Sequence, residues 1–448
     1  MRIPEKVPHL LHLLSLHRHL ILIFGIFIIE VLNMKSAKRI AATALAVLLI
    51  MPSTAVSADE PSKETENNRL VTEYYSPELT EPMIIDATET VASAGNEPTV
   101  GAKAFVLMDV ATGAVLYEQN SHERLAPASI TKIMSLLLVM EAVEAGQFSV
   151  DTVLTASEHA CSMGGSQIWL EPGEQMSVHD LLKATVVGRA NDATVVLGEA
   201  IAGSEEGFVA MMNERAAELG LNDTCFVNST GLDADGHFTS AYDIAVMSSA
   251  LIKHELIKEY STIWMDSLRN GQSELVNTNK LVKFYEGCTG LKTGTTSKAG
   301  ACLSATAVKQ GTELVAVVMG ASNSNDRFNG ARKLLNYGFA NWATVTVSPE
   351  SSQLQPIKVK KGDRSEVGLA AGEQSFLVEK SKVKSIELIT ELPESLTAPI
   401  YDGQQVGVTR VTVDGEEIGT VKVIANGSVG RMNFAKAFLK VLKNYFFM

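Results

Sequence analysis

Pro127-Ala128-Ser129-Ile130-Thr131-Lys132 is the stretch from which both the fold and the chemistry of this chain can be inferred. A proline just ahead of an apolar-periodic segment is typical of a helix start. Large apolar residues then recur at helical spacing, at positions 130, 133, 134, 137 and 138. The pattern predicts a helix from Ser129 to about residue 145 whose apolar face packs into a core. Ser129 and Lys132 would lie about one turn apart, side by side.

The spacing Ser-x-x-Lys suits nucleophilic catalysis. A serine hydroxyl attacks poorly until a base takes its proton, and a lysine whose ammonium form is disfavoured by burial or nearby positive charge can be that base. On its own, the spacing also fits a helix-capping serine beside a solvated lysine. Two later motifs favour catalysis, because Arg189-Ala190-Asn191-Asp192 and Leu291-Lys292-Thr293-Gly294-Thr295 follow in the order found in penicillin-recognising enzymes.

With these motifs the chain resembles the serine-type D-alanyl-D-alanine carboxypeptidases, which are low-molecular-mass penicillin-binding proteins. The resemblance covers roughly residues 97 to 425. Three further segments read like family segments in the family's order: Gly164-Gly165-Ser166-Gln167-Ile168-Trp169-Leu170-Glu171-Pro172-Gly173-Glu174, Asn228-Ser229-Thr230-Gly231-Leu232-Asp233 and His237-Phe238-Thr239-Ser240-Ala241-Tyr242-Asp243.

The resemblance implies roles for the first two motifs. Ser129 would be the acyl-enzyme nucleophile, and Lys132 would be its general base. Asn191 would bind the substrate amide from the opposite wall of the site. One oxyanion donor would be the backbone amide of Ser129.

The resemblance also implies how the third motif binds substrate. Lys292, Thr293 and Thr295 would lie on an edge strand and hold the carboxylate of the terminal D-alanine. Gly294 would let the backbone approach the substrate closely. The expected ligands are peptidoglycan stem peptides and β-lactam antibiotics, and neither a metal nor an organic cofactor is implied.

The middle motif departs from the family's Ser-x-Asn, because Arg189 occupies the serine position. In the family that hydroxyl is thought to relay the proton, whereas arginine is donor-only and effectively always charged. Three consequences are open. The guanidinium could lower the pKa of Lys132 and leave a working base, it could bind a substrate carboxylate, or it could fill the site and disable it.

The order of predicted elements indicates an α+β catalytic domain over residues 98–347. Strand patterns come first, a run of helices follows, and strands return before a final helix. This order predicts an antiparallel sheet covered by helices, with Lys292 and Thr295 on its edge. Over residues 350–425 the pattern changes to period two, and Asp414-Gly415 between alternating runs predicts a tight hairpin. We therefore expect a small all-β accessory domain there.

The N-terminal region reads as export signals followed by a spacer. Residues 1–33 hold a first apolar run, and Met34 then opens a better-formed signal peptide over residues 34–58, which ends in Val56-Ser57-Ala58. We expect Met34 to be the true start and residues 1–33 to be an upstream extension; the alternative is an N-terminal membrane anchor. Residues 59–97 carry ten acidic and two basic residues, which predicts a disordered acidic linker.

The C-terminal stretch, residues 430–448, predicts an amphipathic helix. Phenylalanine, tyrosine and leucine side chains share one helical face, and lysines lie on another. Such a helix is typical of a segment lying on an anionic membrane surface, although it could also pack on the β-rich domain. The predicted location is therefore the outer face of the cytoplasmic membrane or the cell wall.

Several other residues have structural interpretations. The four cysteines, Cys161, Cys225, Cys288 and Cys302, show neither metal-site nor redox spacing and could be small buried residues or form disulfides. We expect His237 to be a structural hydrogen-bonding residue. Arg327 could reach a substrate carboxylate, but a surface ion pair is the simpler interpretation. Glu174 and Asp192 read as supporting or capping groups.

The sequence thus predicts an exported, penicillin-sensitive serine D-Ala-D-Ala carboxypeptidase. The first rival is a catalytically impaired peptidoglycan-binding or penicillin-binding protein that has lost its proton relay through Arg189. The second is a β-lactamase, which would need a deacylating base that the sequence does not identify. The net charge of −13 argues against a nucleic-acid partner, because neutralising phosphates takes a basic surface.

Overall fold

The computed structural model of the protein describes residues 97–433. The predictions for the upstream extension, the signal peptide and nearly all of the acidic linker concern residues outside that range. So does the predicted C-terminal helix from residue 434 onward. Within residues 97–433 no helix is both long enough and apolar enough to cross a bilayer.

The part of the described chain before residue 342 contains strands and helices in the predicted mixture. Its strands are β1 (Ala104–Asp109), β2 (Val115–Gln119), β3 (Val153–Thr155), β4 (Gln175–Ser177), β5 (Met265–Leu268), β6 (Ser273–Val276), β7 (Cys288–Thr296), β8 (Gly300–Lys309) and β9 (Thr312–Ala321). Its helices are α1 (Lys132–Glu144), α2 (Glu158–Cys161), α3 (Val178–Val186), α4 (Asn191–Ala202), α5 (Glu205–Glu218), α6 (Ala241–Ile252), α7 (Glu255–Ser261), α8 (Leu281–Phe284) and α9 (Ser324–Asn341).

Five strands form an antiparallel sheet in the order β2-β1-β9-β8-β7, so β7 is an edge strand. Alternate residues of β1 face different cores. Val106 and Met108 pack with helix α6 on one side, while Phe105 and Leu107 pack with α9 on the other. Helices therefore cover both faces of an antiparallel sheet, which confirms the predicted fold class.

Helix α1 is buried on nearly every side, from Lys132 through Met140. A helix that is apolar all round belongs in a core, and α1 packs against α6 and α4. The predicted helix start at Ser129 was wrong in one detail. Residues Ala128–Thr131 form a 3₁₀ turn, and the α-helix begins at Lys132.

Helix α6 lies between α1 and the sheet, and it was not predicted from the sequence. Its signal was present, because Ser240 caps the helix by accepting a hydrogen bond from the Asp243 amide at 3.1 Å. Apolar residues at positions 241, 244, 245, 247 and 251 are all buried. A capping serine followed by this spacing predicts a buried helix.

The remaining described residues are β-rich. Their strands are β10 (Trp342–Val347), β11 (Ile357–Lys360), β12 (Glu366–Ala371), β13 (Gln374–Glu379), β14 (Ile386–Glu391), β15 (Ser395–Thr397), β16 (Gln405–Val413) and β17 (Glu416–Asn426). Six form a sheet in the order β14-β16-β17-β12-β11-β15, and β10 pairs with β13. Asp414 and Gly415 have φ angles of 51° and 85° between β16 and β17, which confirms the predicted hairpin.

Candidate active site

Ser129 lies in the 3₁₀ turn at the entrance to α1 and is half-buried. Two glycine backbones enclose this turn. A Cβ atom on Gly231 would lie 1.8 Å from the carbonyl oxygen of Ala128, and a Cβ on Gly294 would lie 3.0 Å from the amide nitrogen of Ser129. Ala128 itself has a φ of 49°, so the turn is held in a conformation that few alanines adopt. The nucleophile candidate is therefore fixed by close backbone packing.

Lys132 begins α1 and is fully buried. Its ammonium nitrogen donates hydrogen bonds to Asn191 Oδ1 at 2.5 Å and to the Thr230 carbonyl at 2.7 Å. Burial, the largest cause, and the nearby charge of Arg189 together lower the pKa of Lys132 to about 7, against opposing effects of Asp192 and Glu205. A lysine with this pKa is neutral in a large fraction of molecules near pH 7 and can accept a proton.

Asn191 is the first residue of α4, and its orientation is fixed on both sides. Its backbone amide donates to the Ser166 carbonyl at 2.7 Å, and its Nδ2 donates to the Gly164 carbonyl at 2.6 Å. The side-chain oxygen is thereby turned toward Lys132. The sequence had suggested only a contact between Asn191 and substrate, so its bond to the lysine is an additional finding.

Arg189 precedes Asn191 by two residues and shares its wall of the site. Its φ of 62° is in the left-handed region, and its side chain is half-buried. Its positive charge depresses the pKa of Lys132, second only to burial as a cause. Arg189 therefore favours the neutral form of Lys132, which is the pKa effect named in the first of the three open consequences.

The Lys-Thr-Gly motif lies on edge strand β7, as predicted. Successive side chains of a strand alternate between faces, so Lys292 shares a face with Gly294, the residue that abuts the nucleophile turn. Lys292 and Thr293 are almost fully buried, whereas Thr295 is exposed. The Thr293 hydroxyl lies 2.5 Å from that of Thr278, a neighbour that the sequence did not identify.

Arg327 supports the motif from within the core. It is fully buried on α9, and its Nη1 donates to Thr295 Oγ1 at 2.9 Å and to the Gly294 carbonyl at 3.3 Å. The surface ion pair suggested by the sequence is therefore wrong. The cationic side chain holds the end of β7 in place, because charge-assisted hydrogen bonds are stronger than neutral ones.

His237 supports the nucleophile turn as a neutral residue, which confirms the structural interpretation. Its Nδ1 accepts the Val227 amide hydrogen at 2.9 Å, so Nε2 carries the proton and donates to Thr131 Oγ1 at 2.8 Å. Burial lowers the pKa of His237 to about 4, and a smaller opposing effect comes from Asp233.

The low pKa of His237 predicts acid sensitivity. The unfolded state, with a histidine pKa near 6.5, binds the proton better than the folded state, so stability should fall as pH drops from about 6.5 toward 4. The largest loss that this residue can cause is about 3 kcal/mol. Urea unfolding of His237→Gln and the parent protein at several pH values tests this. The variant should show a flatter pH dependence, and parallel curves for the two proteins would contradict the assignment.

The cysteines are not paired with one another. All four are free in the structure, with Cys302 fully buried and the other three half-buried. Burial raises the pKa of Cys288 to about 12. A thiol with so high a pKa is a poor nucleophile at neutral pH.

Comparison with known proteins finds two family models. One, described as D-alanyl-D-alanine carboxypeptidase, matches residues 90–323, and the other, described as penicillin-binding protein 5, C-terminal domain, matches residues 342–431. The carboxypeptidase DacF of Bacillus subtilis (strain 168) is 44% identical over 311 residues, which cover 68% of this chain and 80% of DacF. DacC of Escherichia coli (strain K12) is 38% identical over 335 residues, covering 73% of this chain and 82% of DacC.

Solved structures of two penicillin-binding proteins are also similar to this chain. Penicillin-binding protein 5 from Haemophilus influenzae superposes with a TM-score of 0.67 at 30% identity, covering 75% of this chain and 99% of that one. Penicillin-binding protein D2 from Listeria monocytogenes, solved in an ampicillin-bound form, superposes with a TM-score of 0.50 at 32% identity. That match covers 55% of this chain and all of the Listeria chain.

The helix-covered sheet, the buried lysine beside a serine turn and the Lys-Thr-Gly edge strand are features of the class of penicillin-recognising serine enzymes. The carboxypeptidase model spans more than half of the chain, and the relatives match over about four-fifths of their own length. The chain belongs to the D-alanyl-D-alanine carboxypeptidase family of serine peptidases. The enzyme class predicted from the sequence is thereby confirmed.

Proposed function

We propose that this protein removes the terminal D-alanine from peptidoglycan stem peptides through an acyl-enzyme on Ser129. The observation that carries the proposal is Lys132, a buried lysine with a pKa near 7 placed one turn from a half-exposed serine. Few structural roles need a lysine in this state, whereas a nucleophilic serine needs a neutral base beside it.

The reaction divides into two steps. Lys132 takes the Ser129 hydroxyl proton as Oγ bonds to the carbonyl carbon of the penultimate D-alanine. The peptide C–N bond then breaks, and the leaving amine of the terminal D-alanine takes a proton from Lys132. Water attacks the resulting ester, which frees the shortened peptide and restores the Ser129 hydroxyl.

Substrate orientation is the proposed task of β7. Lys292, Thr293 and Thr295 bind the carboxylate of the terminal D-alanine, and Gly294 keeps the strand close to the amide of Ser129. That amide is then placed to donate to the oxyanion that forms during attack. Asn191 holds Lys132 and keeps a second N–H on Nδ2 that can bind the substrate amide.

In our proposal the enzyme is active with Arg189 in place of the family's serine. The proton relay through the serine hydroxyl is replaced by an electrostatic effect of Arg189 on the pKa of Lys132. The like charge favours neutral Lys132, which then both accepts and returns the proton. The second candidate is a catalytically impaired penicillin-binding protein. It is favoured by one observation, that a guanidinium has no acceptor and cannot relay a proton as the family's hydroxyl does.

Variants at Arg189 separate these two candidates. Arg189→Gln removes the charge and adds no hydroxyl, so the pKa of Lys132 should rise. The rate of acylation increases with pH as Lys132 becomes neutral. In Arg189→Gln the midpoint of this increase should therefore move to a higher pH by about one unit. Arg189→Ser removes the same charge but restores a hydroxyl. A pH–rate profile of D-alanine release that does not move in Arg189→Gln contradicts charge control, and a faster Arg189→Ser would show that the arginine is a defect.

Penicillin sensitivity and location are further parts of the proposal. A β-lactam offers Ser129 a strained carbonyl beside a carboxylate, and the ampicillin-bound Listeria relative supports such a ligand here. We also propose export through residues 34–58 and attachment to the membrane surface through residues 430–448. Deleting residues 431–448 should release the protein from membranes into the soluble fraction, and continued sedimentation of the truncated protein would contradict the anchor.

The activity itself is tested with a peptide ending in D-Ala-D-Ala. The full chain should release D-alanine, and Ser129→Ala should not. Rapid hydrolysis of penicillin by the wild-type protein would instead favour a β-lactamase. Penicillin labelling of Ser129 without D-alanine release would favour the impaired binding protein.

A further inference from the structure

Glu205 is a largely buried carboxylate that takes no part in the proton transfers proposed above. It is the first residue of α5, and only 12% of its side chain is exposed. Acidic residues are stabilising in the first turn of a helix, and the neighbouring Glu206 supplies such a charge from an exposed position. Burying a second carboxylate at the same helix end costs free energy unless it makes good hydrogen bonds, so its contacts indicate its role.

The contacts of Glu205 hold the chain at Ser229. Its Oε1 accepts hydrogen bonds from the Ser229 hydroxyl at 2.7 Å and from the Ser229 backbone amide at 3.1 Å. Ser229 is fully buried, and buried donors are normally paired with an acceptor, which Glu205 provides for both. The other carboxylate oxygen, Oε2, lies 2.7 Å from His159 Nε2 on α2. This contact fixes the orientation in which the carboxylate meets Ser229.

The two residues after Ser229 contact the catalytic groups. The Thr230 carbonyl accepts a hydrogen bond from Lys132 Nζ at 2.7 Å, and the Gly231 backbone packs against the nucleophile turn. Both contacts are made by backbone atoms, so their positions depend on how the chain is held at Ser229. A displacement of this chain would therefore move the lysine and the turn together.

Helix α1 holds the same residue from the other side. The Ser135 hydroxyl donates to the Ser229 carbonyl at 2.6 Å, and Ser135 is about one turn along α1 from Lys132. Ser229 is therefore fixed between α5 and the helix that begins with the base. Substituting Glu205 should loosen one side of this contact while α1 itself stays packed.

Glu205 also acts on Lys132 through its charge. Burial and the charge of Arg189 lower the pKa of Lys132. Asp192 raises it, and Glu205 raises it to a smaller extent. His159, which lies beside Glu205 and is charged only when protonated, is 46% exposed, so solvent screens its effect. Replacing the carboxylate by a neutral group should therefore lower the pKa of Lys132.

We propose that Glu205 is a positioning residue for the acylation of Ser129. By holding Ser229 it keeps the Thr230 carbonyl on Lys132, and so keeps the base beside the nucleophile. This role rests on the function proposed above. Hydrogen bonds to an ionised acceptor are stronger than those to a neutral one, which suits a carboxylate to fixing a backbone segment. Its loss should be costly, because a shift of about 1 Å at a reacting group can cost about 10² in rate.

Three substitutions in the full chain separate the position of the carboxylate from its charge. Glu205→Ala removes both, Glu205→Gln keeps an acceptor without the charge, and Glu205→Asp keeps the charge on a shorter side chain that does not reach Ser229. Stopped-flow labelling with a fluorescent penicillin between pH 6 and 9 gives the maximal acylation rate and the midpoint of its rise with pH. We expect the maximal rate to fall about 30-fold in Glu205→Ala and about tenfold in Glu205→Asp, and to stay within about threefold in Glu205→Gln.

The midpoint of the pH profile should respond to the charge alone. In Glu205→Gln it should move to a lower pH by about half a unit, which is opposite in direction to the shift expected for Arg189→Gln. In Glu205→Asp it should stay close to that of the wild-type protein. A group that only stabilises the fold would lower the thermal midpoint of the variants but leave both the rate and the pH profile of the folded protein unchanged.

Glu206→Ala and Glu206→Gln are the matched controls, because they alter the neighbouring acidic residue in the same helical turn. Both should be acylated like the wild-type protein, with the same pH midpoint. Unchanged maximal rates in folded Glu205→Ala and Glu205→Asp would overturn the positioning role. So would an equal loss of rate in Glu206→Ala, or a loss in Glu205→Gln as large as that in Glu205→Ala.

A measurement on Lys132 itself separates this role from the proposed function. In protein isotopically labelled at the lysine Cε carbon, the resonance of Lys132 is identified by its absence from Lys132→Met, and its titration gives the pKa without turnover. We expect a sharp resonance in Glu205→Gln with a lowered pKa, and a broadened one in Glu205→Ala. These changes in a wild-type background that penicillin does not acylate would contradict the proposed function and support the positioning role. Acylation together with an identical Lys132 resonance in all Glu205 variants would contradict the positioning role alone.

Discussion

Replacing Lys132 by methionine should reduce the rate at which Ser129 is acylated by about 1,000-fold or more. Methionine fills similar volume in the core but cannot accept a proton, and general-base catalysis contributes about 10² to 10⁴ in rate. The buried ammonium also orients Asn191, so its loss removes a base and loosens one wall of the site. Stopped-flow labelling with a fluorescent penicillin, at pH values from 6 to 9, measures the effect.

Lys183→Met is the matched control for this experiment. Lys183 is also a largely buried lysine, but it pairs with Asp180 at 3.0 Å and Asp266 at 3.4 Å. The Lys183→Met variant should be acylated at a rate close to that of the wild-type protein. If Lys132→Met acylates at a similar rate and the protein is folded, Lys132 is not the base, and the proposed mechanism is wrong.

The second large effect is expected at Gly231, where alanine should disrupt the nucleophile turn. The added Cβ would lie 1.8 Å from the Ala128 carbonyl oxygen, and the φ of 88° is poorly suited to alanine. Either the turn that contains Ala128 or the segment that contains Gly231 must move. A displacement of about 1 Å at a reacting group can cost about 10² in rate, so acylation should fall at least that far. Penicillin labelling and thermal unfolding together measure both consequences.

Gly236→Ala separates backbone strain from the steric clash. Gly236 has a similar φ of 82°, but its Cβ would meet only a Val227 methyl group at 3.8 Å. This variant should lose about 1 kcal/mol of stability through the unfavourable φ and acylate normally. Equal acylation rates in Gly231→Ala and Gly236→Ala would mean that close packing on Ala128 does not position Ser129.

The sequence predicted those parts of the site that depend on local spacing. Ser129 and Lys132 are three residues apart, so any helical turn brings them together. Lys292 and Gly294 are two residues apart on one strand. Because successive side chains of a strand alternate between its faces, both lie on the face toward the nucleophile turn. The antiparallel sheet followed from the order of strand and helix patterns, and the hairpin at Asp414 followed from its turn residues.

The sequence did not predict contacts between distant segments. The Thr230 carbonyl that binds Lys132 is 98 residues away in the chain, and Arg327 reaches Thr295 across 32 residues. The residue pattern does not show which backbone carbonyl will accept a hydrogen bond from a distant side chain. It also does not show whether an arginine is exposed or buried. The effect of Arg189 on Lys132 likewise required the folded geometry.

The geometry suggests how an arginine can replace the family's serine at position 189. Burial alone already lowers the pKa of Lys132, and a second positive charge on the same wall favours the neutral amine further. The enzyme would then keep its base in the reactive form at neutral pH while losing one donor and acceptor in the proton path. The net rate depends on which of these effects is larger, and the Arg189→Gln and Arg189→Ser pair measures each separately.

The assignment of Ser129 as the nucleophile is tested most directly by locating the acyl group. The full chain is incubated with a fluorescent penicillin, digested with protease and examined by mass spectrometry. We expect one adduct, on the peptide that contains Ser129, and no adduct in Ser129→Ala. An adduct on another residue, or none on folded wild-type protein, would contradict the assignment of Ser129 as the nucleophile.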